Sequence, residues 1–162
     1  MLDGDAKLID QGTAVRIDAN DPVYADRIVV GRIAKVGSWT STLELVTDKK
    51  FHGLACVMRE TAEGWLPGPE GILSGDGTNH CRLEVESAEP VKVGDAVCTV
   101  PDDGVLPLRM YYGRVIQVDL QPGSLHWEVK VEPAFKELRL RTVSVLRTKL
   151  NPARILANRT DR

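Results

Sequence analysis

Three histidines (His52, His80, His126) and four serines (Ser38, Ser74, Ser124, Ser144) are the residues from which a hydrolase would be assembled. A Ser-His-Asp triad is a matter of geometry, so its members can lie far apart in a chain. The nucleophile nevertheless needs a sharp turn that presents its hydroxyl, and no serine here has the Gly-x-Ser-x-Gly context that builds one. Gly75-Asp76-Gly77 reads as a tight turn rather than an acid site. No catalytic residue is assigned.

Metal chemistry fares no better. On a strand, His52 and Cys56 would share a face but stand about 13 Å apart, too far to share an ion. Adjacent His80 and Cys81 would point to opposite faces, Cys98 is remote, and neither CxxC nor HExxH occurs. No metal site is assigned. Gly64, Gly68 and Gly71 form a glycine-rich stretch, but prolines interrupt it and a strand follows rather than a helix. It is expected to be a surface hairpin loop, not a phosphate cradle, and no cofactor is assigned. Trp39 and Trp65 fall in or beside loops. They are expected as lids on the core, with an exposed anchor for a protein partner as the other reading.

The elements that would hold these residues are strands. Period-two alternation or short apolar runs mark 13–17, 27–36, 42–46, 52–58, 70–73, 80–86, 96–100, 111–120, 125–132 and 138–146. Turn chemistry separates them at Asn20-Asp21-Pro22, Gly37-Ser38, Asp48-Lys49-Lys50, Gly75-Asp76-Gly77 and Pro122-Gly123. Pro101, Asp102, Asp103, Gly104 and Pro107 form an arch between two strands. Short strands at this spacing predict barrels or a sandwich. An internal echo favours two related units. At an offset of 82 residues, Gly12-Thr13-Ala14-Val15 falls on Gly94-Asp95-Ala96-Val97, and Gly31-Arg32-Ile33 on Gly113-Arg114-Val115.

Composition bounds the partners. The 162 residues carry a net charge of −2, with both signs interspersed, which argues against nucleic acid. Only the end of the chain, from Lys136, is modestly basic. Three cysteines, Cys56, Cys81 and Cys98, allow at most one disulfide and sit in apolar runs, where Cys behaves as a small buried hydrophobe. No stretch reaches the roughly 20 apolar residues of a spanning helix, and the N-terminus is no signal peptide. A membrane connection is expected only through a segment upstream.

Several stretches, in order, resemble the extracytoplasmic β domain of the rod-shape-determining MreC family. Val30-Gly31-Arg32-Ile33 leads to Leu43-Glu44-Leu45-Val46-Thr47-Asp48, and Gly71-Ile72-Leu73-Ser74-Gly75 follows. Then come Val93-Gly94-Asp95-Ala96-Val97-Cys98-Thr99, Pro107 ahead of Tyr112-Gly113-Arg114-Val115, and Val131-Glu132-Pro133-Ala134. Thr99-Val100-Pro101 and Pro107-Leu108-Arg109 stand where the family tends to have Thr-Ser-Gly and Pro-x-Gly. The resemblance spans roughly 12–146.

It implies an all-β fold of two small β-barrels related by internal duplication, distantly like the chymotrypsin double barrel but lacking its triad. Residues 5–50 would form the first barrel, completed by a returning strand at 138–147. Residues 51–137 would form the second, and 148–162 a flexible tail. It further implies a non-enzymatic scaffold of the bacterial cell-wall elongation machinery, periplasmic and associated with the inner membrane in the full-length protein. Such a scaffold self-associates and binds penicillin-binding proteins and other morphogenesis proteins. The alternatives are a trypsin-like double-barrel hydrolase and a barrel module of an export adaptor, the latter because its Val93-Gly94-Asp95 turn is common in such modules.

Overall fold

Eleven strands and one 3-10 turn make up the computed structural model, which describes residues 7–12, 16–101 and 109–146. The strands are β1 (Lys7–Ile9), β2 (Pro22–Ala25), β3 (Ile28–Val36), β4 (Ser41–Leu45), β5 (His52–Thr61), β6 (Gly64–Gly75) and β7 (Cys81–Glu86). They continue as β8 (Ala96–Thr99), β9 (Tyr111–Leu120), β10 (His126–Pro133) and β11 (Ser144–Val145), with the 3-10 turn at Ala134–Glu137 after β10. The protein is all-β, as expected.

Strands β5 to β10 close into a barrel. β5 pairs with β6 and β8, β6 with β7, β7 with β10, β10 with β9, and β9 with β8, every pair antiparallel. Closure gives every strand of the ring a partner on both sides over part of its length. The alternation of β7 shows how the sequence chooses its inside. Cys81, Leu83 and Val85 are buried while Arg82, Glu84 and Glu86 face water. Ala55, Val57, Leu73, Val97, Val115, Val129 and Val131 complete the filling. Each buried valine or leucine contributes about 1.5–3 kcal/mol relative to exposure.

The remaining strands form an antiparallel sheet in the order β11–β2–β3–β4–β1, open among the described residues. Ser144 and Val145, late in the chain, return to pair with Tyr24 and Val23 of β2. The two parts share one continuous core, which runs from Val23, Val30 and Ile33 to Val97 and Val131. A parallel bridge between Ile28 and Tyr111 joins them at the surface.

A three-stranded unit occurs twice. Asp18 N–H donates to Asp21 Oδ2 at 2.9 Å, as Lys92 N–H does to Asp95 Oδ2 at 2.9 Å. Asn20 N–H donates to the Ile33 carbonyl as Gly94 N–H does to the Val115 carbonyl, both at 2.8 Å. Ile33 and Val115 return the bond to the carbonyls of Asp21 and Asp95, both at 2.9 Å. Each corner is thus a turn followed by a bulge whose first residue has positive φ, 70° at Asn20 and 96° at Gly94. Beyond the corners the ladders agree too. Val23 opposes Gly31 as Val97 opposes Gly113, and Arg32 opposes Glu44 as Arg114 opposes Glu132, with register shifts at matching places.

Three expectations are corrected. The corner equivalent to Gly94–Asp95 is Asn20–Asp21, 74 residues earlier, not Gly12; the chain from Val97 to its partner Gly113 is eight residues longer than that from Val23 to Gly31. The stretch from Gly64 to Gly71 belongs to β6, not to a loop. Its prolines are tolerated because β6 pairs with β7 only from Gly71 onward, leaving Pro67 and Pro69 on a free edge that needs no N–H donor. Of the expected strand 138–146 only Ser144 and Val145 form a ladder, and residues 13–15, the arch at 102–108 and the tail at 148–162 lie outside the described residues.

Candidate protein-binding surface

The residues first considered for chemistry are dispersed. His52 stands opposite Ser74 in the β5–β6 ladder, but the Ser74 hydroxyl donates to the Arg82 carbonyl at 3.4 Å. His80 Nε2 lies 3.0 Å from Glu132 Oε2, and its Nδ1 lies 3.9 Å from Asp76. His126 meets Ser124 only through its backbone N–H, which donates to the hydroxyl at 2.9 Å. Among the described residues no serine hydroxyl is hydrogen-bonded to a histidine ring, and no group of three His, Cys, Asp or Glu residues could hold a metal ion.

The cysteines are free thiols packed as hydrophobes. Cys81 sits in the main core, its thiol donating to the Val46 carbonyl at 3.2 Å, and burial pushes its pKa up to about 12. Cys56 and Cys98 stand directly opposite each other between β5 and β8, in a small second cluster with Met58 and Ala96. Burial also raises the Cys98 pKa. Thiols held in the neutral form are poor nucleophiles.

What the barrel does offer is an apolar outer face. Leu54 and Ile72 oppose each other on β5 and β6, 51% and 49% exposed. Period-two alternation, with one bulge between Cys56 and Met58, puts the pairs Cys56–Glu70, Met58–Pro67 and Glu60–Trp65 on that same face. The stripe ends at Trp65, 53% exposed, with Leu66 beside it at 58%. Expected as core lids, Trp65 and Trp39 are both exposed, because one sits at the hairpin tip and the other in the tight Gly37–Thr40 turn, where no core lies within reach. Buried Cys56 and Met58 and charged Glu70 separate the two exposed apolar patches at the ends of this face, Leu54–Ile72 and Trp65–Leu66, and exposed apolar patches mark sites of protein contact.

Beside the stripe, a groove of about 520 Å³ runs between the β5–β6 hairpin and the start of β9. Met58, Ala96, Cys98 and Tyr111 line its floor, and Trp65 walls one side. Arg27, Arg109 and Arg114 rim it. Tyr111 N–H donates to the Arg27 carbonyl at 2.7 Å, so the groove lies at the joint between the N-terminal sheet and the barrel. Sequence reasoning missed these arginines and the Leu54–Ile72 pair. The one available signal was the repeated Gly-Arg dipeptide, read for its glycine alone.

Comparison with known proteins points one way. The family model described as "Rod shape-determining protein MreC, barrel core" matches residues 5–147. The "Cell shape-determining protein MreC" of Caulobacter vibrioides is 30% identical over 112 residues, 68% of this chain but only 30% of that protein's length. A solved structure named "MreC" superposes with a TM-score of 0.68 at 22% identity, covering 86% of this chain and 77% of its own. MreC from Pseudomonas aeruginosa superposes at 0.61 and 22% identity, over 78% of each chain. A complex between penicillin-binding protein PBP2 and MreC from Helicobacter pylori gives 0.63 at 14% identity, over 84% and 83% of the two chains.

Proposed function

The chain belongs to the MreC rod-shape-determining family, and from that premise we propose that it is the barrel core of a non-enzymatic scaffold for cell-wall elongation. It works outside the cytoplasm, holding a penicillin-binding protein and a second copy of itself by surface contact. The family match over 5–147 carries the reading, and the exposed stripe from Leu54 and Ile72 to Trp65 supplies a surface suited to it. A solved MreC in complex with PBP2 supports the choice of partner. The periplasmic setting rests on relatives described by their major periplasmic domain.

A photo-crosslinking residue placed at Ile72 tests this reading in cells. It is expected to capture a penicillin-binding protein or a second copy of the chain, whereas the same residue at Gln117, exposed on β9 three strands away around the barrel, captures neither. Equal capture at both positions, or none at either, contradicts the proposal.

A further inference from the structure

We propose that the arginine-rimmed groove is a binding site for an acidic protein segment carrying an aromatic or large aliphatic side chain. The inference refines the scaffold reading by naming the chemistry of one partner segment. Its carrying observation is an asymmetry within the repeated unit. Arg32 and Arg114 occupy the same ladder position, each directly opposite a glutamate. Arg32 uses that glutamate, its Nε 2.5 Å from Glu44 Oε2, and also donates to the Lys50 carbonyl at 2.9 Å.

Arg114 does not. Its opposite number Glu132 is taken by His80 at 3.0 Å and Lys136 at 3.1 Å. Arg114 instead lines the groove, with Arg27 and Arg109 around the same opening. None of the three forms an ion pair with another described residue; Arg109 Nη1 rests 3.3 Å from the Met58 sulfur. Three guanidinium groups around one opening make it positively charged, and an entering carboxylate can accept forked hydrogen bonds from them.

The floor sets the second requirement. A volume of about 520 Å³ over Met58, Cys98 and Tyr111 accepts a large apolar side chain, and Met surfaces adapt to varied shapes. Trp, Tyr and Arg are the types that dominate binding energy at protein interfaces. A concave apolar floor distinguishes the site from a flat basic patch that would rest on anionic lipid.

The test uses the whole chain and a fluorescein-labelled peptide of alternating glutamate and phenylalanine, read by anisotropy. Binding is expected, weakening about tenfold in Arg114→Glu and in Arg27→Ser, and falling as salt rises. Arg82→Glu on the far strand β7 leaves it unchanged. Circular dichroism checks that each variant is folded, and Arg27→Ser carries the test if Arg114→Glu is not. Equal affinity for the peptide with glutamines in place of glutamates overturns the proposal. So does binding to phosphatidylglycerol vesicles in preference to the peptide. If a penicillin-binding protein still binds while the acidic peptide does not, the groove assignment fails and the scaffold reading stands.

Discussion

Arg59 reaches from β5 across to the corner ahead of β8. There its Nε donates to Asp95 Oδ1 at 2.9 Å and its Nη2 to Oδ2 at 2.6 Å. Burial acts to raise the Asp95 pKa, but the bonds from Arg59 and from the Lys92 N–H outweigh it and hold the carboxyl below the ordinary range. A carboxyl depressed by folding contributes stability that is full above its unfolded pKa, about 3.9, and lost as pH falls through the folded value. The melting temperature is therefore expected to drop below about pH 4, and Asp95→Asn to flatten that part of the profile. At pH 7 the same substitution should cost about 1.5–3 kcal/mol in a urea titration. An unchanged midpoint would show that the pair contributes nothing. The Gly94-Asp95 turn was legible in the sequence; its partner, Arg59, is 36 residues away and was not.

Local chemistry recurs at the scale of elements, and that recurrence makes the corners predictable. Gly94 has a φ of 96°, where Asn20 holds the equivalent place at 70°. Gly94→Asn should thus be tolerated, while Gly94→Val, whose branched Cβ resists positive φ, should lose about 1–3 kcal/mol in a thermal melt. Similar losses for both would contradict the equivalence of the corners. Gly31 and Gly113 show a second shared constraint, since a Cβ on either would overlap the carbonyl of Glu44 or Glu132 on the neighbouring strand. Gly113→Ala is expected to destabilise the barrel by several kcal/mol in the same assay, through the loss of close ladder contact between β9 and β10.

Turn glycines and alternating strands were readable because both are local signals. Tyr111–Leu120 was read to the residue, and the core positions of β7 follow from alternation alone. The offset of the repeat was misread because a length difference between two links is invisible until pairing is known. The first part of β6, from Gly64 to Gly71, was read as a loop because its prolines gave a correct local signal that a one-sided edge made harmless. The binding surface was the least legible feature. Leu54 and Ile72 are ordinary strand residues, and only barrel closure decides that they face outward. Arg27, Arg109 and Arg114 come together through pairings between segments more than 80 residues apart in the chain.

At the scale of the molecule, we propose that residues 5–50 with 138–147 form one unit and 51–137 the other, coupled through their shared core. The pairing of β11 with β2 and the burial of Phe135 in that core support the coupling. A chain ending at Glu137 should consequently melt at lower temperature, by several degrees, because β2 loses a partner strand. An unaltered melt would show that the returning segment adds no stability.

The central claim is that this barrel acts by holding protein partners on its outer face. It is tested most directly by titrating the purified chain against the extracytoplasmic part of a PBP2-type penicillin-binding protein, followed by interferometry. The account predicts saturable binding that weakens at least about tenfold when Ile72→Asp and Trp65→Ala are introduced on the stripe, with Gln117→Glu, on β9 across the barrel, neutral. No binding by the folded wild-type chain, or binding indifferent to both stripe substitutions, would contradict it.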